Sequence, residues 1–362
     1  MQQKTDPTPV VLWLLSGVAL ITAMVVIGGI TRLTGSGLSI VEWNLISGTL
    51  PPLSEAEWLL TFEKYKQFPE YQKLNFGMTL SDFKGIFWWE YLHRLLGRFI
   101  GMVFIVPFLY FLLRRMLVPW LLKRLLLILL LGMAQGLMGW IMVKSGLSDV
   151  PHVSHYRLAA HLTLALLLIG LILWTVADLL APAVKAQTAG KGLGRFSWLV
   201  LATVLLQIIL GAFVAGLKAG FSYNTYPLMQ GEFFPSHLNG YLTWANFLDN
   251  GVAVQFLHRW FGMLALAAIA LLWYRARRTQ LHASTQHIIR LLLLTGVAQA
   301  LLGIVTLLLA VPLALGVLHQ LVAVLLFGLA VLAVHHLRLP AGIATRAPVP
   351  TPGSAGQQQV KV

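Results

Sequence analysis

Apolar positions in this chain come in long runs rather than in stripes. Eight runs of roughly 20 residues, the length at which a helix crosses a bilayer, lie at about 10–31, 93–113, 121–143, 157–180, 196–217, 255–274, 288–310 and 314–337. Each predicts a membrane-spanning helix. The last two are separated only by a short connection at Pro312, which cannot continue the preceding helix. The first two are separated by a long segment, about 32–90, that mixes charge and apolar residues and includes the amphipathic stretch LSEAEWLLTFEKYKQF. It is too long for a plain connector and predicts a small folded cap. Residues 339–362, rich in Pro, Gly, Ala and Gln, predict a disordered tail.

Composition agrees with the runs. Of 362 residues, 58% are hydrophobic and 10% charged, against about 25% charged in a soluble domain. The N-terminus enters its first run without a small-residue cleavage site, so that run reads as a span and not as a removed leader. The net charge of +14 is the feature that would suggest nucleic acid, but the basic residues cluster in short loops. Arg114, Arg115, Lys123 and Arg124 join spans two and three; Lys185, Lys191 and Arg195 join four and five; Arg275, Arg277, Arg278 and Arg290 join six and seven. If spans alternate, all three loops and both termini share one side, which the positive-inside rule makes the cytoplasm. The expected setting is the bacterial inner membrane, with the cap outside and no nucleic-acid partner. The chain has no cysteine, which excludes disulfides, thiolate metal sites, iron–sulfur clusters and thioether-linked heme.

The runs repeat. Span two opens EYLHRLLG and span six QFLHRWFG; span three carries GMAQGLMGW and span seven GVAQALLGI. Span four opens RLAAHLTLAL and span eight LGVLHQLVAV; span one ends GGITRLTGSGLS and span five GAFVAGLKAGFS. Four matches in one order predict an all-α integral membrane protein of two pseudo-symmetric four-helix bundles, related as a parallel repeat. The expected organisation is a cytoplasmic tail at 1–9, an N-terminal half at 10–180, a linker at 181–195 and a C-terminal half at 196–338.

Each half carries one His where its second helix begins and one where its fourth begins: His93 and His161, then His258 and His319. All four lie at similar depth in the outer part of the membrane. Ionisable residues inside spans are costly and mark function. Zinc usually takes three or four protein ligands, and each half offers two imidazoles from two helices, which suits the two faces of a heme. Gly97, Gly101 and Gly262 follow these His on the same helix faces and leave room for a porphyrin. Arg94 and Arg259 directly follow a His, and Arg98 lies one turn on; they face either heme propionates or the interface.

One matched position differs. Glu90, three residues before His93, aligns with Gln255, three before His258. Gln is nearly isosteric with Glu but cannot exchange a proton. Chemistry is therefore expected in the first half, and a permanent heme in the second.

The segments GGITRLTGSGLSIVEW, FKGIFWWEYLHRLLGR and GMAQGLMGWIMVKSGL, with AAHL, QFLHR and LHQ, resemble the heme A synthase family, in its proteobacterial and mitochondrial branch, over about residues 10–338. The resemblance implies an oxidoreductase that hydroxylates one methyl of heme O twice, with water as the oxygen source, to give the formyl group of heme A for cytochrome oxidase. It implies heme b as cofactor between His258 and His319, beside Arg259. It implies the substrate heme between His93 and His161, beside Arg94 and Arg98, and a catalytic Glu90. Heme O synthase and oxidase assembly factors are implied as partners, in contact with membrane lipid, and a homo-oligomer is compatible. The Bacillus-type branch has an external cysteine pair; this chain has none, so thiol-based transfer cannot run within it. Two other readings share the four His: a diheme b-type electron carrier and a heme transporter or chaperone. The carrier has no need of an acid on one side only; in the transporter both hemes would be cargo, which a parallel repeat does not by itself exclude.

Overall fold

A computed structural model of the protein describes residues 6–43, 47–147, 151–180, 191–238, 243 and 246–338. The predicted tail at 339–362, most of the linker (181–190) and the first five residues lie outside the described residues.

All eight predicted spans are helices long and apolar enough to cross a membrane. In chain order they are α1 (Thr8–Leu33), α4 (Leu80–Leu113), α5 (Pro119–Gly146), α6 (His155–Leu180), α7 (Lys191–Gly216), α8 (Gly251–Arg277), α9 (Ala283–Leu308) and α10 (Leu313–Leu337), with α2 (Glu55–Lys66) and α3 (Pro69–Lys73) in the cap. Pro stands in the first turn of α1 and of α5, where its missing N–H costs nothing. Packing follows chain order. α7, α8, α9 and α10 close a ring, and α1 packs on α4 and α6, and α5 on α6. Where these groups meet, α6 packs on α7 and α10, and α1 on α10. The main apolar core lies along these contacts, with Leu125, Leu166, Ile169, Leu272, Ile289, Leu292 and Leu337 fully buried.

The start of α4 differs from the expected one. The apolar run begins at about 93, yet the helix begins at Leu80, under a capping box formed by Thr79 and Asp82. Its first three turns are amphipathic rather than apolar, and they carry the cap. Phe83, Phe87 and Tyr91 recur at four-residue spacing on one face. They meet Trp58, Phe62 and Tyr65 of α2 in one buried aromatic cluster. Ser54 caps α2 by accepting from the Glu57 N–H. The segment 32–90 is thus partly helix, as the amphipathic stretch predicts, and the WWEYLHRLLGR sequence lies inside a helix rather than at its mouth.

The cap buries one carboxyl. Glu70 accepts from the Tyr65 hydroxyl at 3.2 Å, and that hydroxyl accepts from Asn75 Nδ2 at 2.7 Å. Burial pushes the Glu70 carboxyl up from 4.5 to about 7, against the lowering effect of the Tyr65 hydrogen bond. The sign follows from linkage. Above its ordinary value the acid ionises more readily in an opened cap than in the closed one, so cap stability falls as pH rises from 4.5 to about 7. Glu70→Gln should flatten that dependence. Hydrogen exchange of α2 and α3 amides across this range checks it; equal pH slopes in the two proteins would contradict it.

At the opposite end of the bundle, Asp178 of α6 accepts from Arg124 of α5 at 2.5 Å, from His335 of α10 at 2.9 Å, and from Arg338. One carboxylate so ties three elements together.

Candidate functional site

The four His converge on one cavity of about 840 Å³ that is walled by every spanning helix. Sites for cofactor-sized molecules run roughly 300–1,000 Å³. His93, His161, His258 and His319 all line it, as do Glu90, Arg94, Arg98 and Arg259. Every predicted site residue is therefore brought to one chamber. His93 sits well inside α4, and the other three lie in the second turn of their helices or just beyond.

Each His packs against a glycine on the membrane-spanning helix before its own. A Cβ built on Gly28, Gly139, Gly211 or Gly303 would lie 3.1, 3.3, 3.0 or 2.7 Å from Cε1 of His93, His161, His258 or His319 respectively. A side chain at any of the four would crowd the ring. One helical turn before three of these glycines stands a Gln whose amide meets the same His. Gln135 Nε2 lies 3.4 Å from His161 Nε2, Gln299 Nε2 lies 3.4 Å from His319 Nε2, and Gln207 Nε2 lies 3.0 Å from His258 Nδ1. The fourth place, one turn before Gly28, is Met24. A Cβ on Gly97 would meet Met24 Cε at 3.2 Å, and one on Gly262 would meet Gln207 Nε2 at 2.9 Å. Gly97, Gly101 and Gly262 line the cavity, as expected. The Gln and Gly partners of the His were visible as A-Q-x-x-x-G in spans three and seven, but which residue they serve is set by packing between helices.

Glu90 is buried and held by three donors. Its Oε2 accepts from Ser39 Oγ at 2.7 Å and from the Ile40 N–H at 2.8 Å; its Oε1 accepts from Arg94 at 2.6 Å. The (i, i+4) pair Glu90–Arg94 is matched at Gln255–Arg259, where Arg259 donates to Gln255 Oε1 at 3.3 Å. Gln255 also donates to the Ala219 carbonyl at 2.9 Å. A carboxylate that binds two loop donors is thus replaced by an amide that gives a hydrogen bond.

The two Arg do work that the sequence did not reveal. Arg94 donates to the carbonyls of Ile40 and Glu42, at 2.7 and 2.9 Å. Arg259 donates to the Thr225 carbonyl at 2.6 Å and to that of Tyr223. Each fastens the loop that follows the first helix of its own half, with only Nε left buried and without a partner. Their terminal N–H groups are already committed, whatever else the cavity holds.

The donor set fits heme. Among the described residues no cluster of three or more His, Asp or Glu could hold a bare metal ion, whereas the imidazoles pair. The His258 and His319 ring centres are 6.5 Å apart. Two imidazoles bound to one iron from opposite sides, with bonds of about 2 Å, have centres roughly 6 Å apart. Nδ1 of His93, His161 and His319 is buried without a partner.

Comparison with known proteins follows the same line. The family model described as cytochrome oxidase assembly protein (COX15-CtaA) matches residues 11–331. A heme A synthase of Nitrosospira multiformis is 48% identical over 93% of this chain and 97% of its own length. One of Nitrosomonas eutropha is 47% identical over 88% and 91%, and one of Bradyrhizobium diazoefficiens is 47% identical over 94% and 96%.

Proposed function

We propose that this chain, which belongs to the cytochrome oxidase assembly protein family, is a multi-pass membrane oxidoreductase that converts heme O to heme A. The single observation that carries the assignment of roles is the unequal pair Glu90 and Gln255 in otherwise matched surroundings. The substrate heme lies between His93 and His161, and a resident heme b between His258 and His319. The resident heme supplies a redox centre inside the bundle. Both sites lie toward the end of the bundle that carries the cap, which faces the periplasm.

The substrate methyl becomes an alcohol, then a gem-diol that loses water to leave the formyl group. Each hydroxylation takes one oxygen from water and releases two protons and two electrons, and the electrons leave to an external electron acceptor. The chain's residues divide the work. His93 and His161 hold the substrate by its iron, and the cavity wall around its edge sets which methyl is presented. Glu90, held by Ser39, Ile40 and Arg94, sets a negative charge at a defined point of that wall. There it stabilises positive charge developing at the methyl carbon and takes a proton from the incoming water. Arg94 keeps the carboxylate from turning away. In the second half, Gln255 offers neither charge nor base, so heme b remains unmodified. The apolar walls exclude bulk water and accommodate the long apolar tail of heme O, which arrives either from the bilayer or from a heme O synthase.

Two tests follow. Expressed beside a heme O synthase in a host that makes no heme A, the chain should place heme A and its alcohol precursor in membrane extracts; their absence would sink the assignment. Gly303→Val should push the His319 ring out of line, since a Cβ there already falls 2.7 Å from the ring. The optical signature of a heme held by two imidazoles in the second half should be lost, and an unchanged spectrum would count against the pairing.

A further inference from the structure

Two cations on the cavity wall occur in one half only. Arg32, in the last turn of α1, aligns with Ala215, and Lys218 aligns with Gly35. They meet at one atom: the Ala215 carbonyl accepts from the Arg32 guanidinium and from the Lys218 main-chain N–H, the latter at 3.1 Å. Ala215 is the repeat counterpart of Arg32 itself, so this contact joins the first half to the second.

Lys218 has φ +54°, in the left-handed region, and its counterpart Gly35 has φ +66°. The backbone there favours glycine. The second half keeps a lysine at that steric cost, and outliers of this kind collect at functional sites. Both cations line the cavity, and both lie within electrostatic reach of His152. Among the described residues no carboxylate lies within ion-pair distance of either one. Among the described residues the cavity wall carries Arg32, Arg94, Arg98, Lys218 and Arg259 against a single carboxylate, Glu90. That surplus of four positive charges equals the number of propionates on two hemes.

We propose that Arg32 and Lys218 form an anion seat at the junction of the two halves that takes heme propionate carboxylates. Arg94 and Arg259 are committed to loop carbonyls, so the junction pair has the freer donors. A guanidinium and an ammonium on one cavity wall, both within electrostatic reach of His152, can share a carboxylate. The seat spans both halves and orients the two macrocycles relative to each other. The inference rests on the reading that heme occupies the cavity.

The test uses the full chain purified from heme-deficient cells and titrated with hemin and with hemin dimethyl ester, whose propionates carry no charge. Lys218→Gly restores the residue that the backbone prefers, so it folds at least as well as the parent; Arg32→Gln is the second variant. Each should weaken hemin binding roughly 10- to 100-fold, the range for a charge-assisted contact. Each should leave binding of the ester nearly unchanged, and Lys218→Arg should restore most of the loss. The reduction potential of the heme that remains should fall when either cation is removed, since a lost positive charge favours the oxidised form. Parental hemin affinity in both variants, or an equal loss for hemin and its ester, would overturn the seat. A parent that binds neither compound would instead overturn the heme reading beneath it.

Discussion

Replacing Glu90 by Gln should cut heme A formation by about 10²- to 10⁴-fold, the usual worth of a positioned acid or base, while the chain keeps its heme. The protein itself carries the control. Gln255 occupies the matched place beside Arg259 and is buried within an intact helix pair, so a Gln at 90 is sterically acceptable beside Arg94. The substitution is not free. An amide oxygen in the Oε2 place can still accept from Ser39 and the Ile40 N–H, but its NH2 then faces the Arg94 donor, and a buried donor left unmet costs about 1–3 kcal/mol. That loosens the 39–42 loop without dismantling the helices. Glu90→Asp separates the two effects: it keeps the charge but pulls it back by one methylene. Turnover of heme O, normalised to bound heme, is the measurement. Parental turnover in Glu90→Gln would remove Glu90 from the chemistry.

The second large effect concerns the His of the C-terminal half. His258→Ala or His319→Ala should reduce the heme found after expression without any heme O from one per chain to none. Each removes one of two imidazoles whose ring centres are 6.5 Å apart, and on the proposed reading the remaining His would be left to hold a heme from one face alone. Activity should go with the heme. His93→Ala and His161→Ala should retain that resident heme and lose only substrate binding. Pyridine hemochrome assay of the four purified variants decides the matter. If the two pairs behave in the opposite way, the halves have been assigned in reverse.

Much of this arrangement was legible in the sequence, and the exceptions have physical causes. Hydropathy located all eight spans because the membrane demands it of every crossing helix. It missed the first three turns of α4, since Phe83, Phe87 and Tyr91 bury against α2 rather than in lipid, with polar residues between them. The four His were legible through the repeat. Their Gly and Gln partners were present in the same motifs, yet their pairing depends on neighbouring helices and carries no local signal. Arg94, Arg98 and Arg259 were legible as residues near the His, but not in their contacts, and Arg32 was not singled out at all. Arg94 reaches carbonyls more than 50 residues away along the chain, and Arg32 reaches one 183 residues away. Such partners follow from how the loops after α1 and α7 fold back over the cavity. The difference between Glu90 and Gln255 was visible from alignment of the halves alone. The fold adds what holds each of them, which turns a sequence difference into a difference in available chemistry.

The central claim is that two similar heme sites play unequal parts. It is tested most directly by the heme content of the purified chain, extracted and separated by reversed-phase chromatography, with and without a heme O synthase in the host. The expected result is one heme b per chain without heme O. With it, the same heme b should be joined by a second heme found as heme O, its alcohol or heme A. Two equivalents of heme b in both preparations, with no oxidised heme O, would make the protein a diheme electron carrier and contradict the account.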